Sequence, residues 1–150
     1  MMTITSRDNS LLRRARAVRD RKVDDAIFVE GLRLCEEALR SGLQIEAVIF
    51  SEEIARKKKA ARLLDELSQV CSRLAAVSEK LLESISYTKT PQGIVVLAAH
   101  PAIDVMGLTS SQTASPLLVV LHGINNPVNV GAILRTAEAA GITGPRCICT

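Results

Sequence analysis

The chain has 150 residues, of which 47% are hydrophobic, and a formal net charge of +3. This length and apolar content are enough to bury the core of one medium domain, or of a small domain plus part of a second. No apolar run approaches the ~20 residues that span a bilayer, and residues 1–12 are too polar for a signal peptide, so the sequence predicts a cytoplasmic protein with no membrane segment. One Tyr, two Phe and no Trp argue against nucleic-acid binding through stacked aromatic platforms.

The cysteines and histidines do not form a recognisable metal or redox motif. The four cysteines lack Cys-x-x-Cys spacing and stand in apolar segments, so we predict buried, reduced thiols and no metal. They are Cys35, Cys71, Cys147 and Cys149. Neither His100 nor His122 has a second ligand at metal spacing, although His122 borders an asparagine-rich loop.

Positive charge is concentrated at the start of the chain. Residues 1–22 contain seven Arg or Lys and two Asp, a balance of +5, so the remaining residues sum to −2. A short helix from about Asn9 would turn Leu11, Leu12, Ala15 and Val18 inward and leave its arginines outside, as phosphate binding requires. The outward arginines are Arg13, Arg14, Arg16 and Arg19. A merely solvated helix face explains the same pattern.

Strand and helix patterns alternate over residues 26–98. Strands are predicted at 26–30, 47–50, 70–77 and 93–98, and helices at 32–40, from 51 onward and at 78–84. The long helix capped by Ser51 carries a basic run at 56–59, which i, i+4 pairs with Glu52 and Glu53 would balance as a solvated face. This alternation predicts a small three-layer α/β domain that ends near His100.

Residues 101–115 show neither helical nor strand periodicity and are predicted to be a linker. After them, the apolar run 117–121 predicts a strand buried on both faces, followed by a polar turn and a helix. Asn126 can cap this helix, Pro127 suits its first position, and Gly141 can close it. The loop and helix start would form a crevice that favours an anion.

One cation in this helix stands apart from the apolar face. Gly131, Arg135 and Glu138 lie on a single stripe, so Arg135 projects past a position that has no side chain. Spacing alone favours a simple Arg135–Glu138 surface pair over a catalytic role.

The residue order supports more than the spacing does. The segment Asn-Pro-Val-Asn-Val-Gly-Ala-Ile-Leu-Arg-Thr-Ala at 126–137 resembles the first signature motif of the SpoU (TrmH-like) branch of the SPOUT RNA methyltransferases. Asn129, Gly131 and Arg135 occupy its key positions, whereas Asn126 stands where many members carry Asp. The resemblance implies methyl transfer from S-adenosylmethionine to a ribose 2′-hydroxyl of ribosomal or transfer RNA. It also implies catalytic roles for Arg135 and Asn129, and a homodimer.

The earlier part of the chain resembles the same family. Residues 4–22 are similar to the start of SpoU proteins, which favours RNA binding by the arginines of the first helix. Phe-Val-Glu-Gly at 28–31 and the segment 87–93 resemble a ribosomal-protein-like substrate-binding domain. Lys89 and Gln92 of the polar loop are candidate RNA contacts, although a plain Pro-Gly turn also accounts for that loop.

The resemblance assigns residues 1–100 to an RNA substrate-binding α/β domain, 101–115 to a linker and 116–150 to an incomplete SPOUT domain. The family completes that domain with a trefoil knot and with segments that build the cofactor pocket. We therefore expect a truncated product, a fragment or an incomplete record that is inactive at this length. A non-catalytic RNA-binding protein is the main alternative. A different nucleotide-binding α/β enzyme is the other, but Gly-x-Gly-x-x-Gly and P-loop motifs are absent.

Overall fold

The computed structural model describes residues 2–88, 91–101, 119–124, 126–141 and 147–149. The chain divides into two compact units, Met1–Pro101 and Ala102–Thr150. Apart from Pro101, the predicted linker lies outside the described residues.

The first unit is built on a five-stranded mixed sheet. Its strands are β1 Met2–Ile4, β2 Ala26–Glu30, β3 Ile45–Ser51, β4 Leu74–Val77 and β5 Ile94–Ala99. They lie in the order β1-β4-β3-β5-β2, where β1, β4 and β3 are parallel and β5 runs antiparallel to both β3 and β2. The carboxyl ends of β1 to β4 therefore share one edge of the sheet with the start of β5.

Helices cover both faces of this sheet. They are α1 Ser10–Arg19, α2 Leu32–Arg40, α3 Glu52–Ala55, α4 Lys58–Val70 and α5 Glu79–Glu83. Residues of α2, α3 and α4 pack on one face with Val48, Phe50 and Val96, and residues of α1 and α5 pack on the other with Ile49, Val95 and Leu97. The strands β3 and β5 are almost fully buried because both of their faces contact helices. The predicted three-layer α/β arrangement is confirmed.

Most elements begin and end near their predicted positions. Asn9 caps α1 by accepting a hydrogen bond from the Leu11 N–H, at 2.9 Å, and the four predicted inward residues of that helix are buried. The strand at 26–30 and the helix at 32–40 match their predicted bounds.

Two local predictions were wrong, and one strand was not predicted. The helix that Ser51 caps ends at Ala55, and a second helix starts at Lys58, so the basic run spans a break instead of one continuous face. The predicted strand 70–77 begins only at Leu74, because α4 extends to Val70. The strand β1 was not predicted; three residues carry little periodicity, and their partner β4 lies about seventy residues later in the chain.

The described part of the second unit contains two strands and one helix. The strands β6 Val119–Leu121 and β7 Cys147–Cys149 pair in parallel, and the helix α6 spans Pro127–Ala139. This confirms the predicted strand, turn and helix sequence. Four positions of α6 were predicted to form an apolar face: Val130, Ile133 and Ala137 are half-buried and Leu134 is exposed.

Candidate functional site

A side-chain cap at the start of α6 fixes the turn between β6 and α6, where the motif residues begin. The Asn126 side chain accepts a hydrogen bond from the Val128 N–H at 2.9 Å, so an uncharged amide is sufficient as the cap at the position where many family members have Asp. The helix begins at Pro127, where a missing N–H costs nothing. Asn126 and Asn129, together with Gly123, Ile124, Ala132 and Ile133, line an open cavity of about 590 Å³.

Arg135 folds back over the glycine of its own helix. A Cβ added at Gly131 would lie 3.5 Å from Nη1 of Arg135, which is an ordinary van der Waals contact, so the guanidinium lies alongside the glycine. Arg135 is exposed, and among the described residues it forms no ion pair with Glu138, which is the partner that spacing suggested. It also makes no hydrogen bond to Asn129 within that part of the chain, and it is not among the residues lining the cavity.

The arginines of α1 occupy very different environments. Arg14 donates from Nη2 to Glu46 Oε2 at 2.7 Å and lies 3.3 Å from Asp25 Oδ2, so two carboxylates neutralise it. Hydrogen bonding to Glu46 is the main cause that raises the pKa of Arg14. Arg14 therefore fixes α1 to the segments that precede β2 and begin β3, and is already occupied by protein partners.

Two more of the predicted arginines also have protein partners. Arg16 donates to the Arg7 carbonyl at 2.9 Å. Arg19 pairs with Asp20 at 2.8 Å and donates to the carbonyls of Ser84 and Ser86 at 3.2 and 3.3 Å. Arg13 is exposed and has no ion pair within the described residues, so it is the arginine of the four that is available to an external phosphate.

A second cluster, which sequence reasoning missed, lies at the carboxyl end of β2. The Glu30 carboxylate accepts hydrogen bonds from the Tyr87 N–H at 2.8 Å and from the Thr88 hydroxyl at 2.9 Å. The Tyr87 hydroxyl donates to the Arg19 carbonyl at 2.6 Å, and its ring meets Phe28 edge-on with centroids 5.0 Å apart. No local pattern marks these contacts, because the hydrogen-bonded partners are 57 to 68 residues apart in the chain.

Two glycines at the same edge permit close packing. Gly31 has φ +98°, and a Cβ there would lie 2.7 Å from the Gln92 side-chain oxygen. Gly93 has φ +82°, and a Cβ there would lie 2.6 Å from Ile54 Cβ. The structure therefore brings Gln92, one of the predicted RNA contacts, against the turn that follows β2. Lys89, the other one, lies outside the described residues.

The remaining chemical groups offer no further site within the described part of the chain. Cys35 and Cys71 are buried free thiols, and burial raises the pKa of Cys35 to about 12; the side chains of Cys147 and Cys149 lie outside the described residues. No group of three His, Cys, Asp or Glu that could hold a metal ion occurs among the residues that the structure describes. None of the described helices is long and apolar enough to cross a membrane.

Comparison with known proteins places these features in a family. The sequence model of the MRM3-like substrate binding domain matches residues 10–96. The chain is 32% identical over 143 residues to the mitochondrial rRNA methyltransferase 3A of Danio rerio, covering 89% of this chain and 31% of that protein. It is 33% identical over 126 residues to the 23S rRNA (guanosine-2′-O-)-methyltransferase RlmB of Vibrio vulnificus, covering 77% of this chain and 48% of the relative.

Solved structures agree on the fold. The SpoU methyltransferase AviRb of Streptomyces viridochromogenes, in complex with AdoMet, superposes with a TM-score of 0.68 at 22% identity, over 94% of this chain and 52% of that one. The chain thus spans between about a third and a half of the length of these relatives. Its match over residues 10–96 covers more than half of its own 150 residues. The chain belongs to the family of MRM3-like substrate binding domains, which its residues 10–96 match.

Proposed function

We propose that this chain supplies the RNA-binding domain and the first catalytic motif of an S-adenosylmethionine-dependent methyltransferase that modifies a ribose 2′-hydroxyl of ribosomal RNA. The observation that carries the proposal is the geometry at Gly131, where the guanidinium of Arg135 lies beside the helix position that has no side chain, with Nη1 3.5 Å from where a Cβ would be. Both curated relatives described above are named as rRNA methyltransferases, which favours ribosomal over transfer RNA.

The described residues suit one wall of a cofactor site. A cavity of about 590 Å³ lies in the size range of ligand pockets. The amides of Asn126 and Asn129 offer neutral donors and acceptors to hydroxyl or carboxylate groups, and the amino end of α6 favours an anion. When bound, S-adenosylmethionine would supply the methyl group as an electrophile.

Arg135 would act on the substrate oxygen by electrostatics. As the 2′-oxygen loses its proton, negative charge develops on it, and a positioned guanidinium stabilises that charge or holds the neighbouring phosphate. Arg135 is assigned an electrostatic role and not that of a general base, because a guanidinium has donors and no acceptor for the hydroxyl proton. Asn129 is assigned to orient the ribose, since it faces the cavity.

In the substrate-binding domain, RNA contact is assigned to the exposed surface of α1 and to the 88–92 loop. Arg13 is the principal phosphate contact, and Arg14, Arg16 and Arg19 shape the surface through their protein partners. Lys89 and Gln92 remain proposed contacts of the loop. We also propose a cytoplasmic location and a homodimer, as the sequence indicated; the Danio rerio relative is named as mitochondrial.

The proposal is tested with a chimera in which this chain replaces the aligned segment of the Vibrio vulnificus relative. We expect it to transfer tritiated methyl groups to ribosomal RNA, and we expect nuclease mapping to locate the methyl group on a ribose. A folded, RNA-binding chimera without any transfer would favour the second candidate, a non-catalytic RNA-binding protein. That alternative draws its support from the substrate-binding match at residues 10–96.

A further inference from the structure

Tyr87 is an aromatic residue that the fold fixes in place but leaves exposed. The chain has one Tyr, two Phe and no Trp. Phe50 is buried, Phe28 is half-buried, and Tyr87 is 60% exposed. A single exposed apolar side chain is common on protein surfaces. An aromatic ring that is held in place in solvent is less usual, because burial of its large apolar area would stabilise the fold.

Three contacts hold the Tyr87 ring. Its hydroxyl donates to the Arg19 carbonyl at 2.6 Å, its backbone N–H donates to Glu30 at 2.8 Å, and the edge contact with Phe28 has an interplanar angle of 82°. The ring position is therefore set before any ligand binds, and little conformational entropy remains to be lost on binding. Because the hydroxyl proton is already used, what the ring offers to a ligand is its flat surface.

The surroundings of Tyr87 favour a polyanion. The Arg19 carbonyl that it contacts belongs to the end of α1, where Arg21 and Lys22 follow, both exposed. Residues 19–22 contain three cations and one carboxylate, a sum of +2, and Glu30 reduces the total to +1. The carboxylates of Asp20 and Glu30 are themselves engaged, Asp20 by Arg19 at 2.8 Å and by Lys22 at 3.8 Å, and Glu30 by the Tyr87 loop. Arg21 has no ion pair within the described residues.

We propose that Tyr87 is a stacking platform for one unpaired base of the bound RNA, whose adjacent phosphate is drawn to Arg21 and Lys22. The inference rests on the RNA-binding function proposed above and names a specificity determinant within it. A flat ring without a free donor accepts any base, so this contact distinguishes unpaired from paired RNA and not one base from another. One such platform is the most that the scarcity of aromatic residues allows.

The chain offers a direct spectroscopic test, because its single tyrosine gives a single fluorine resonance when it is labelled with fluorotyrosine. The 150-residue chain is titrated with an RNA hairpin that has an unpaired loop and with a blunt RNA duplex of equal charge. We expect the resonance to shift with the hairpin and to stay in place with the duplex. In filter binding, Tyr87→Leu should weaken hairpin binding roughly ten-fold, leaving duplex binding and the salt slope unchanged.

Two variants serve as controls. Tyr87→Phe keeps the ring face and loses only the hydrogen bond to Arg19, so its affinity for the hairpin should stay within about three-fold of the wild type. Val70→Ala alters another exposed apolar side chain, which is 57% exposed, and should change neither the RNA affinity nor the resonance.

Salt-sensitive hairpin binding with neither a resonance shift nor an effect of Tyr87→Leu would overturn the platform and leave RNA binding intact. Equal weakening of hairpin and duplex binding would also overturn it. Absence of any RNA binding would overturn the RNA-binding function and the platform together.

Discussion

Removing Arg14 should lower stability and removing its neighbour Arg13 should weaken RNA binding, although both changes delete one positive charge from α1. Arg14 makes two charge-assisted contacts, to Glu46 at 2.7 Å and to Asp25 at 3.3 Å, and its side chain is 31% exposed. Arg13 is exposed and has no such partner within the described residues. Arg14→Ala should therefore affect stability, and Arg13→Ala should affect the attraction to RNA.

The loss of unfolding free energy expected for Arg14→Ala follows from the partial burial of its two ion pairs. Fully exposed ion pairs contribute about 0–1 kcal/mol, and hydrogen bonds to charged groups about 1.5–3 kcal/mol. Two partly screened contacts, whose loss also leaves Glu46 without its partner, place the cost of Arg14→Ala at roughly 1–2 kcal/mol. Arg13→Ala should stay within ~0.5 kcal/mol, as exposed substitutions usually do.

Urea unfolding followed by the emission of Tyr87 measures this, because the single tyrosine reports on the first unit. The urea midpoint of Arg14→Ala should fall at an unchanged slope, which identifies a change of stability and not of the unfolded state. In RNA filter binding, Arg13→Ala should reduce the salt slope by about one, and Arg14→Ala should leave it nearly intact. Equal midpoints for the two variants, or a larger slope change for Arg14→Ala, would refute the assignment.

Two further predictions concern the carboxyl edge of the sheet. Gly93→Ala should destabilise the first unit by more than ~2 kcal/mol, because its Cβ would meet Ile54 at 2.6 Å and its φ is +82°. Gly42→Ala, at φ +70° with nothing within 4 Å, is the control for backbone strain alone. Similar urea midpoints for the two variants would rule out the clash. Glu53 raises the pKa of the neighbouring Glu79 carboxyl through hydrogen bonding and repulsion, so the folded state takes up a proton at a higher pH than the unfolded state does. The resulting stabilisation is present at acid pH and is lost as pH rises through the folded pKa. The midpoint of the wild type should therefore rise relative to that of Glu79→Gln between pH 7 and pH 4, and parallel pH profiles would contradict the coupling.

Short-range signals were enough to predict much of this fold. Capping residues such as Asn9, Ser51 and Asn126 act on N–H groups two or three residues away, so their side-chain oxygens mark helix starts directly in the sequence. Buried strands such as β3 and β5 appear in the sequence as apolar runs, because both of their faces pack against helices. The break at Arg56–Lys57 was missed because the helical periodicity continues across it, and only the turn after α3 shows that the chain changes direction.

The contacts around the candidate RNA-binding residues could not be predicted from the sequence, because they join distant segments of the chain. The four arginines of α1 look equivalent in sequence: Arg13, Arg14, Arg16 and Arg19. In the structure, Arg14 binds Glu46 and Arg19 binds the carbonyls of Ser84 and Ser86, so these two link α1 to other segments. Glu30 and Tyr87 lie in the two segments that resemble a substrate-binding domain, but nothing in either segment predicts that the two residues contact each other across 57 residues of chain. The Arg135–Glu138 surface pair that spacing favoured is absent among the described residues, and the catalytic role that the family motif implies for Arg135 stays a prediction.

The central claim is that Arg135 acts on the RNA ribose during methyl transfer, and the most direct test is Arg135→Lys in the chimera with the Vibrio vulnificus relative. Lysine keeps the charge, so attraction to phosphate persists, but it loses the planar set of donors that can hold a ribose oxygen and a phosphate oxygen together. Single-turnover methylation should fall by at least about a hundred-fold, as for the loss of one donor that stabilises an oxyanion, while RNA affinity stays within about two-fold. Turnover equal to that of the wild type, at unchanged RNA affinity, would contradict the claim and leave Arg135 as an ordinary surface cation.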